Sequence, residues 1–192
     1  MKGVPGNKGF TLVELLVSIA IFTVITTIAV YNNGQFNGSV LLTNLAYEIA
    51  LSIRQAQYYG ISVRQNTAQN FDSGYGIDFK TSSPTSYTLF EDKSSGSQHV
   101  FDASDATVQT FSIAKGNKVP KVCVDGDCSK STVDISFVRP NPDAYITANG
   151  IVGTFYGKAE ICVLSPQNIK RKITVESTGQ ISVGTDTSGI CN

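Results

Sequence analysis

Phe10-Thr11-Leu12-Val13-Glu14-Leu15-Leu16-Val17-Ser18-Ile19-Ala20-Ile21-Phe22-Thr23-Val24-Ile25-Thr26-Thr27-Ile28-Ala29-Val30 is a run of 21 residues in which Glu14 is the only charged side chain. At about 1.5 Å of rise per residue, a helix of this length spans the roughly 30 Å hydrocarbon core of a bilayer. The segment reads as a membrane anchor. Lys2 and Lys8 precede it, and the 23 residues after Val30 carry no Lys or Arg until Arg54. Basic residues stay on the cytoplasmic side, so the N-terminus is expected in the cytoplasm and everything after Val30 outside it.

Glu14 is the anomaly in this anchor. A carboxylate at the centre of a membrane helix costs about 2.5 to 3.5 kcal/mol on insertion scales, so it needs a partner or a shallow position. Cleavage between Gly9 and Phe10 would supply one, because the new α-amino group of Phe10 would lie one helical turn from Glu14. That cation can neutralise the acid of its own or a neighbouring subunit. A secretory signal peptide would have a shorter apolar core followed by a small-x-small cleavage site. Ser18-Ile19-Ala20 faintly resembles such a site, yet the apolar run continues ten residues past it. A plain single-span anchor has no need of the acid.

A short basic leader ending in Gly9, followed by Phe10-Thr11-Leu12-Val13-Glu14-Leu15, resembles the class III signal of type IV pilins and the pseudopilins of type II secretion. The resemblance implies a prepilin peptidase that cuts after Gly9 and methylates Phe10, with Glu14 guiding subunit docking and Lys2 and Lys8 as leader charge. Its implied partners are that peptidase, other pilin or pseudopilin subunits, an inner-membrane assembly platform, and the membrane before assembly.

The remaining composition fits an exported head. Fifteen basic and fifteen acidic residues balance, and loss of the leader's two Lys leaves the chain slightly acidic, which excludes a generally basic coat for nucleic acid. Roughly 150 residues outside the membrane suffice for one core. Cys123, Cys128, Cys162 and Cys191 all lie in the exported part, where disulfides form. Four cysteines allow three pairings, and sequence alone does not select one. The turn dipeptide Asp125-Gly126 favours a bond between Cys123 and Cys128, which leaves Cys162 to tether the tail through Cys191. Zinc spacing is lacking. Asp125 and Asp127 read as turn formers rather than calcium ligands.

Asn32-Asn33-Gly34-Gln35-Phe36-Asn37-Gly38 is a run of helix-weakening residues, expected to interrupt the helix. Ser39 is then expected to cap a second helix, Val40 to about Tyr59, with Leu41, Leu42, Leu45, Ile49, Ile53 and Ala56 at helical spacing and Gly60 at its end. From there on the period is two. Strands are expected at 61–63, 75–79, 87–91, 108–113, 119–124, 133–137, 159–164, 169–176 and 180–183, with 82–97 holding a surface hairpin. The predicted class is α+β: a long hydrophobic helix, membrane span first and amphipathic half after a break, packed on a β-rich head of two antiparallel sheets or a partly open barrel. The expected divisions are a leader at 1–9, a filament-core helix at 10–31, a joint and amphipathic helix at 32–60, and a head at 61–192.

The stretch Leu51 to Val63, a helix end with Arg54, Ala56 and Gly60 before the first strand, the strand Gly74-Tyr75-Gly76-Ile77-Asp78-Phe79, and the closing strands Ile135-Ser136-Phe137, Ala159 to Leu164 and Lys172 to Ile181 resemble the GspH/FimT branch of minor pilins and pseudopilins. Tyr75 stands where Trp is more usual, and Asn141-Pro142-Asp143 replaces a glycine turn. Some members of that branch hold DNA during uptake, so Lys170, Arg171 and Lys172, aided by Lys158 and Arg139, are the candidate phosphate contacts. The Gly-Arg-x-Arg pattern of DNA-binding relatives reads Gly179-Gln180-Ile181-Ser182 here. An adhesin-like tip would use Tyr58, Tyr59 and Tyr145. His99, the only histidine, reads as a surface residue, and no Gly-x-Ser-x-Gly elbow or phosphate-cradling loop accompanies it. No catalytic role, cofactor or metal is expected.

Overall fold

The computed structural model describes residues 9–62, 73–93, 98–186 and 189–191, without the side chains of 32–37. It divides into two compact units, Met1–Asn37 and Gly38–Asn192. Helix α1 covers Leu12–Ile61. Its helical conformation runs through 32–38, where a break was expected, and the division between units falls inside that segment. Gly and Asn each cost about 0.5 to 1 kcal/mol relative to Ala in a helix interior. That weakens a helix flanked by strong formers without ending it.

Within the first unit, Leu12–Tyr31 is long and apolar enough to cross a membrane, and none of it is buried. From Gly38 on, α1 belongs to the second unit, where Leu42, Leu45, Ala46, Ile49, Ala50, Ile53 and Ala56 are buried. Ser39 is no cap: it lies inside α1, and its carbonyl accepts from Thr43 Oγ1 at 2.8 Å. Gly60 does not end the helix in a left-handed turn either, since α1 continues to Ile61 and Ser62 N bonds to the Tyr58 carbonyl at 3.0 Å. Glycine is required there because a Cβ would run into the Phe137 carbonyl oxygen. Ile61 is thus helical, and the rest of the strand expected at 61–63 lies partly outside the described residues.

Ten strands follow. Strands β1 (Gly74–Lys80), β2 (Ser86–Asp92), β3 (Ala106–Ser112), β6 (Thr132–Phe137) and β7 (Ala144–Ala148) form one antiparallel sheet in the order β3-β2-β1-β6-β7. Strands β4 (Lys118–Val124), β5 (Asp127–Lys130), β8 (Lys158–Leu164), β9 (Lys170–Glu176) and β10 (Ile181–Gly184) form the second, in the order β10-β9-β8-β4-β5. The chain passes from the first sheet to the second, back, and over again, so neither sheet can fold as a separate domain. The barrel alternative is replaced by two distinct five-stranded sheets.

One apolar cluster joins α1 to both sheets. It includes Ile49 and Ile53 of the helix, Phe79, Leu89, Ile135 and Ile146 of the first sheet, and Val122, Ile161 and Ile173 of the second. Burying each Leu, Ile or Phe contributes about 1.5 to 3 kcal/mol. Polar ties fix the helix in place: Ser52 Oγ and Tyr87 Oη lie 3.0 Å apart, and Gln57 Nε2 donates to the carbonyls of Pro142 (2.9 Å) and Gly179 (3.1 Å).

Of the expected surface hairpin at 82–97, residues 86–92 are the largely buried β2, and 94–97 lie outside the described residues. β5 and β7 were not anticipated. β5 is short and polar. β7 shows buried residues at four of its five positions, so it carries no alternation. The Asp125-Gly126 turn forms as its residues require: φ is +47° at Asp125 and +86° at Gly126, the two left-handed positions of a two-residue hairpin loop, with Val124 opposite Asp127.

Candidate functional site

The N-terminal segment owes its geometry to two residues, Thr11 and Glu14. The Glu14 amide donates to Thr11 Oγ1 at 3.2 Å, while Glu14 Oε2 accepts from the Thr11 amide at 3.1 Å and from its hydroxyl at 3.0 Å. The Leu15 amide closes the first full turn on the Thr11 carbonyl at 3.2 Å. This reciprocal pair is a capping box, which satisfies two backbone donors that a helix start leaves open. The Thr-x-x-Glu spacing is the signal for it in sequence. In this geometry the acid already has hydrogen-bond partners in its own chain, which offsets part of its cost in an apolar surrounding.

Gly9 and Phe10 precede the helix. Phe10 is 84% exposed, and a Cβ on Gly9 would meet nothing within 4 Å. The chain's own packing therefore does not demand glycine at position 9. Lys2 and Lys8 lie outside the described residues. Further along, Ser18, Thr23, Thr26 and Thr27 donate their hydroxyls to carbonyls three or four residues back, at 2.7 to 2.8 Å. That internal bonding lets hydroxyls sit in a helix with no water beside it.

In the head, titratable groups gather on the face of the first sheet opposite the apolar cluster. Asp78 and Asp134 are direct cross-strand neighbours, 4% and 2% exposed, and Lys80 Nζ lies 3.0 Å from Asp78. Burial raises both carboxyls, Asp134 up to about 8, with the Asp78 charge adding to the rise. Asp134 Oδ1 has no hydrogen-bond partner in the structure, which suits a pair that shares a proton. The pairing depends on strand register and could not be read from sequence.

His99 is not the surface residue expected. Its side chain is 14% exposed, its ring stacks on Tyr145 with centroids 4.0 Å apart, and Nδ1 lies 2.9 Å from Ser136 Oγ and 3.5 Å from Asp92 Oδ2. Burial lowers the His99 pKa and raises that of Asp92 to about 6. Serine, histidine and aspartate do meet here. However, both partners address the same ring nitrogen, whereas a proton relay needs one on each, and Ser136 is fully buried.

The basic run at the start of β9 is committed to the fold. Arg171 Nε donates to Thr43 Oγ1 at 3.1 Å and its NH2 reaches Ser39 Oγ at 3.4 Å, tying β9 to α1. Lys172 and Lys158 lie 2.8 and 3.5 Å from buried Glu160. β9 lies between β10 and β8, but β10 pairs with it only from Lys172 onward, so Lys170 and Arg171 are paired on the β8 side alone, with Leu164 and Val163. Cys123 is joined to Cys128 and Cys162 to Cys191. Asp125 Oδ2 accepts from the Gly157 amide at 3.0 Å, and Asp127 pairs with Lys130 at 2.9 Å, so both carboxylates serve the turn. Among the described residues no cluster of three or more His, Cys, Asp or Glu could hold a metal.

Residues 5–30 match the prokaryotic N-terminal methylation motif. The match covers the apolar run, its single acid and the Gly9-Phe10 junction before it, and stops short of the head. No curated protein and no solved structure matches the chain.

Proposed function

We propose that the chain is the precursor of a structural subunit of a type IV pilus or a type II secretion-type pseudopilus, a minor subunit of the GspH/FimT kind. A prepilin peptidase cuts between Gly9 and Phe10 and methylates the Phe10 amine. The apolar helix holds the precursor in the cytoplasmic membrane, N-terminus inside and head outside, until an assembly platform passes it into a filament beside other subunits. Glu14 then meets the Phe10 amine of a neighbour. The observation that carries this reading is the methylation motif over residues 5–30, joined to a helix segment, Leu12–Tyr31, with no residue buried by its own chain. An apolar surface of that extent needs lipid or other helices around it.

The test has two readouts. Mass spectrometry of the chain recovered from cells with an active prepilin peptidase should give an N-terminal methylated Phe10. Glu14→Ala should keep that processing while its recovery in the sheared filament fraction drops. An uncleaved N-terminus would reject the precursor reading, and normal recovery of Glu14→Ala would reject the docking role of the acid. The DNA-uptake alternative finds less support, because Arg171, Lys172 and Lys158 have partners within the fold; absence of any salt-sensitive gel shift would remove it.

A further inference from the structure

Beyond assembly, the head carries an open cleft that includes none of the groups invoked for processing or docking. It has a volume of about 340 Å³ and is lined by Asp143, Tyr145, Phe155, Tyr156, Ser177 and Thr178 among others. That volume lies at the small end of the ~300 to 1,000 Å³ typical of ligand sites. Tyr145 and Phe155 are 38% and 49% exposed, and their rings meet edge to face with centroids 5.4 Å apart.

The aromatic wall is held rigid from behind. His99 stacks on Tyr145 at 4.0 Å and 13° and meets Phe155 edge-on at 5.5 Å. His99 itself is pinned through its amide to Asp92 (3.0 Å), its carbonyl to Thr147 Oγ1 (2.8 Å) and its ring to Ser136 (2.9 Å). It takes a left-handed φ of +66° to reach that position, a conformation that a non-glycine residue adopts only when its surroundings hold it there. Two aromatic rings fixed in advance and partly exposed to solvent suit a ligand, since the ordering cost is met before binding.

The polar side of the cleft selects the ligand class. Asp143 is exposed and enters none of the described ion pairs. A carboxylate only accepts hydrogen bonds, whereas the hydroxyls of Ser177 and Thr178 both donate and accept. No Lys or Arg lines the cleft, which disfavours nucleic acid and other polyanions. A proline-rich peptide brings carbonyl acceptors and few donors, a poor match for the acid. A neutral pyranose presents an apolar C–H face for the rings and a rim of hydroxyl donors for the carboxylate. We infer that this cleft binds neutral hexopyranose units of a polysaccharide, with Tyr145 and Phe155 as the stacking platform and Asp143 as the hydroxyl acceptor.

Saturation-transfer NMR on the full chain in a zwitterionic, sugar-free detergent, with cellotetraose, maltotetraose and chitotetraose as probes, tests this. The expected result is transfer to pyranose ring protons from at least one probe, with Phe155→Ala and Asp143→Ala each weakening binding by about tenfold. Both side chains are exposed, so the fold should survive, and an unchanged circular dichroism spectrum confirms it. No transfer from any of the three probes would overturn the proposal. So would binding that persists unchanged in both variants.

Discussion

The two ends of α1 share one helical conformation and differ in almost everything else. From Leu12 to Tyr31 no side chain is buried, and the internal ties are a capping box and hydroxyls bonded to their own backbone. From Leu42 to Ala56 the helix buries seven apolar residues and is tied to both sheets through Tyr87 and Arg171. The same apolar side-chain types do opposite jobs in the two places. In the second they stabilise the head. In the first they are a surface awaiting a solvent or a partner, and the head's stability should be indifferent to them.

The sharpest way to break this comparison is to make one substitution in both places. Ile53 is fully buried in the cluster, so Ile53→Ala should cost the head about 2 to 5 kcal/mol of unfolding free energy. Ile25, 60% exposed, should cost it less than about 0.5 kcal/mol when changed to Ala. Urea unfolding of the full chain in detergent, followed by circular dichroism of the sheets, measures both. Equal losses would mean that the two units unfold as one.

The disulfides offer a second contrast. Cys162–Cys191 closes a separation of 29 residues and Cys123–Cys128 one of 5. Loop-closure entropy gives about 3.5 kcal/mol for the longer and about 2 kcal/mol for the shorter. Replacing Cys162 and Cys191 together by Ser should therefore lower stability more than replacing Cys123 and Cys128, because the Asp125-Gly126 turn already holds the short loop. The reverse order would show that the tail tether adds little.

Charge gives the head a pH dependence with a definite sign. Asp134, Asp78 and Asp92 all bind protons more tightly folded than unfolded, because burial disfavours their charged forms. Their contribution is fully present at pH below about 4, and falls as pH rises from there towards 8, where Asp134 itself titrates. His99 works the other way: its lowered pKa removes stability as pH drops below about 6.5. Lys80, beside Asp78, opposes the carboxyl shifts. Asp134→Asn should flatten the decline between pH 6 and 8 in thermal unfolding, and an unaltered slope would show that the Asp78–Asp134 pair does not share a proton.

Much of this was legible in sequence, for physical reasons that differ by element. The membrane-length run announces itself because lipid tolerates so few charges. The strands at 75–79 and 133–137 stand out because apolar residues alternate between bounding turns, and Asp125-Gly126 because few dipeptides accept two left-handed positions. The break at 32–38 was misread because propensity is a weak prior once strong helical turns lie on both sides. β7 was missed because Ala144, Ile146, Thr147 and Ala148 are buried together, which erases the alternation. Asp78 with Asp134, and His99 with Tyr145, meet only through strand register and loop path, and single-chain patterning carries no signal for either.

The smallest effect concerns the first turn of the anchor, where the two ends of α1 differ most in how they are held. Thr11 caps that turn through one accepted and two donated hydrogen bonds with Glu14. Thr11→Ala removes the hydroxyl but leaves the backbone amide to Glu14, so the loss should be about 1 kcal/mol of local helix stability. It should appear as faster amide exchange at Val13 and Glu14 in the micelle-bound chain, with no change in the unfolding of the head, because nothing in the first unit contributes to the buried cluster. If exchange at Val13 and Glu14 were unaltered, surrounding lipid rather than the capping box would be holding the turn. Faster exchange there with an undisturbed head would instead identify a start of helix that opens and closes independently of the head, which leaves Glu14 able to exchange Thr11 for another donor.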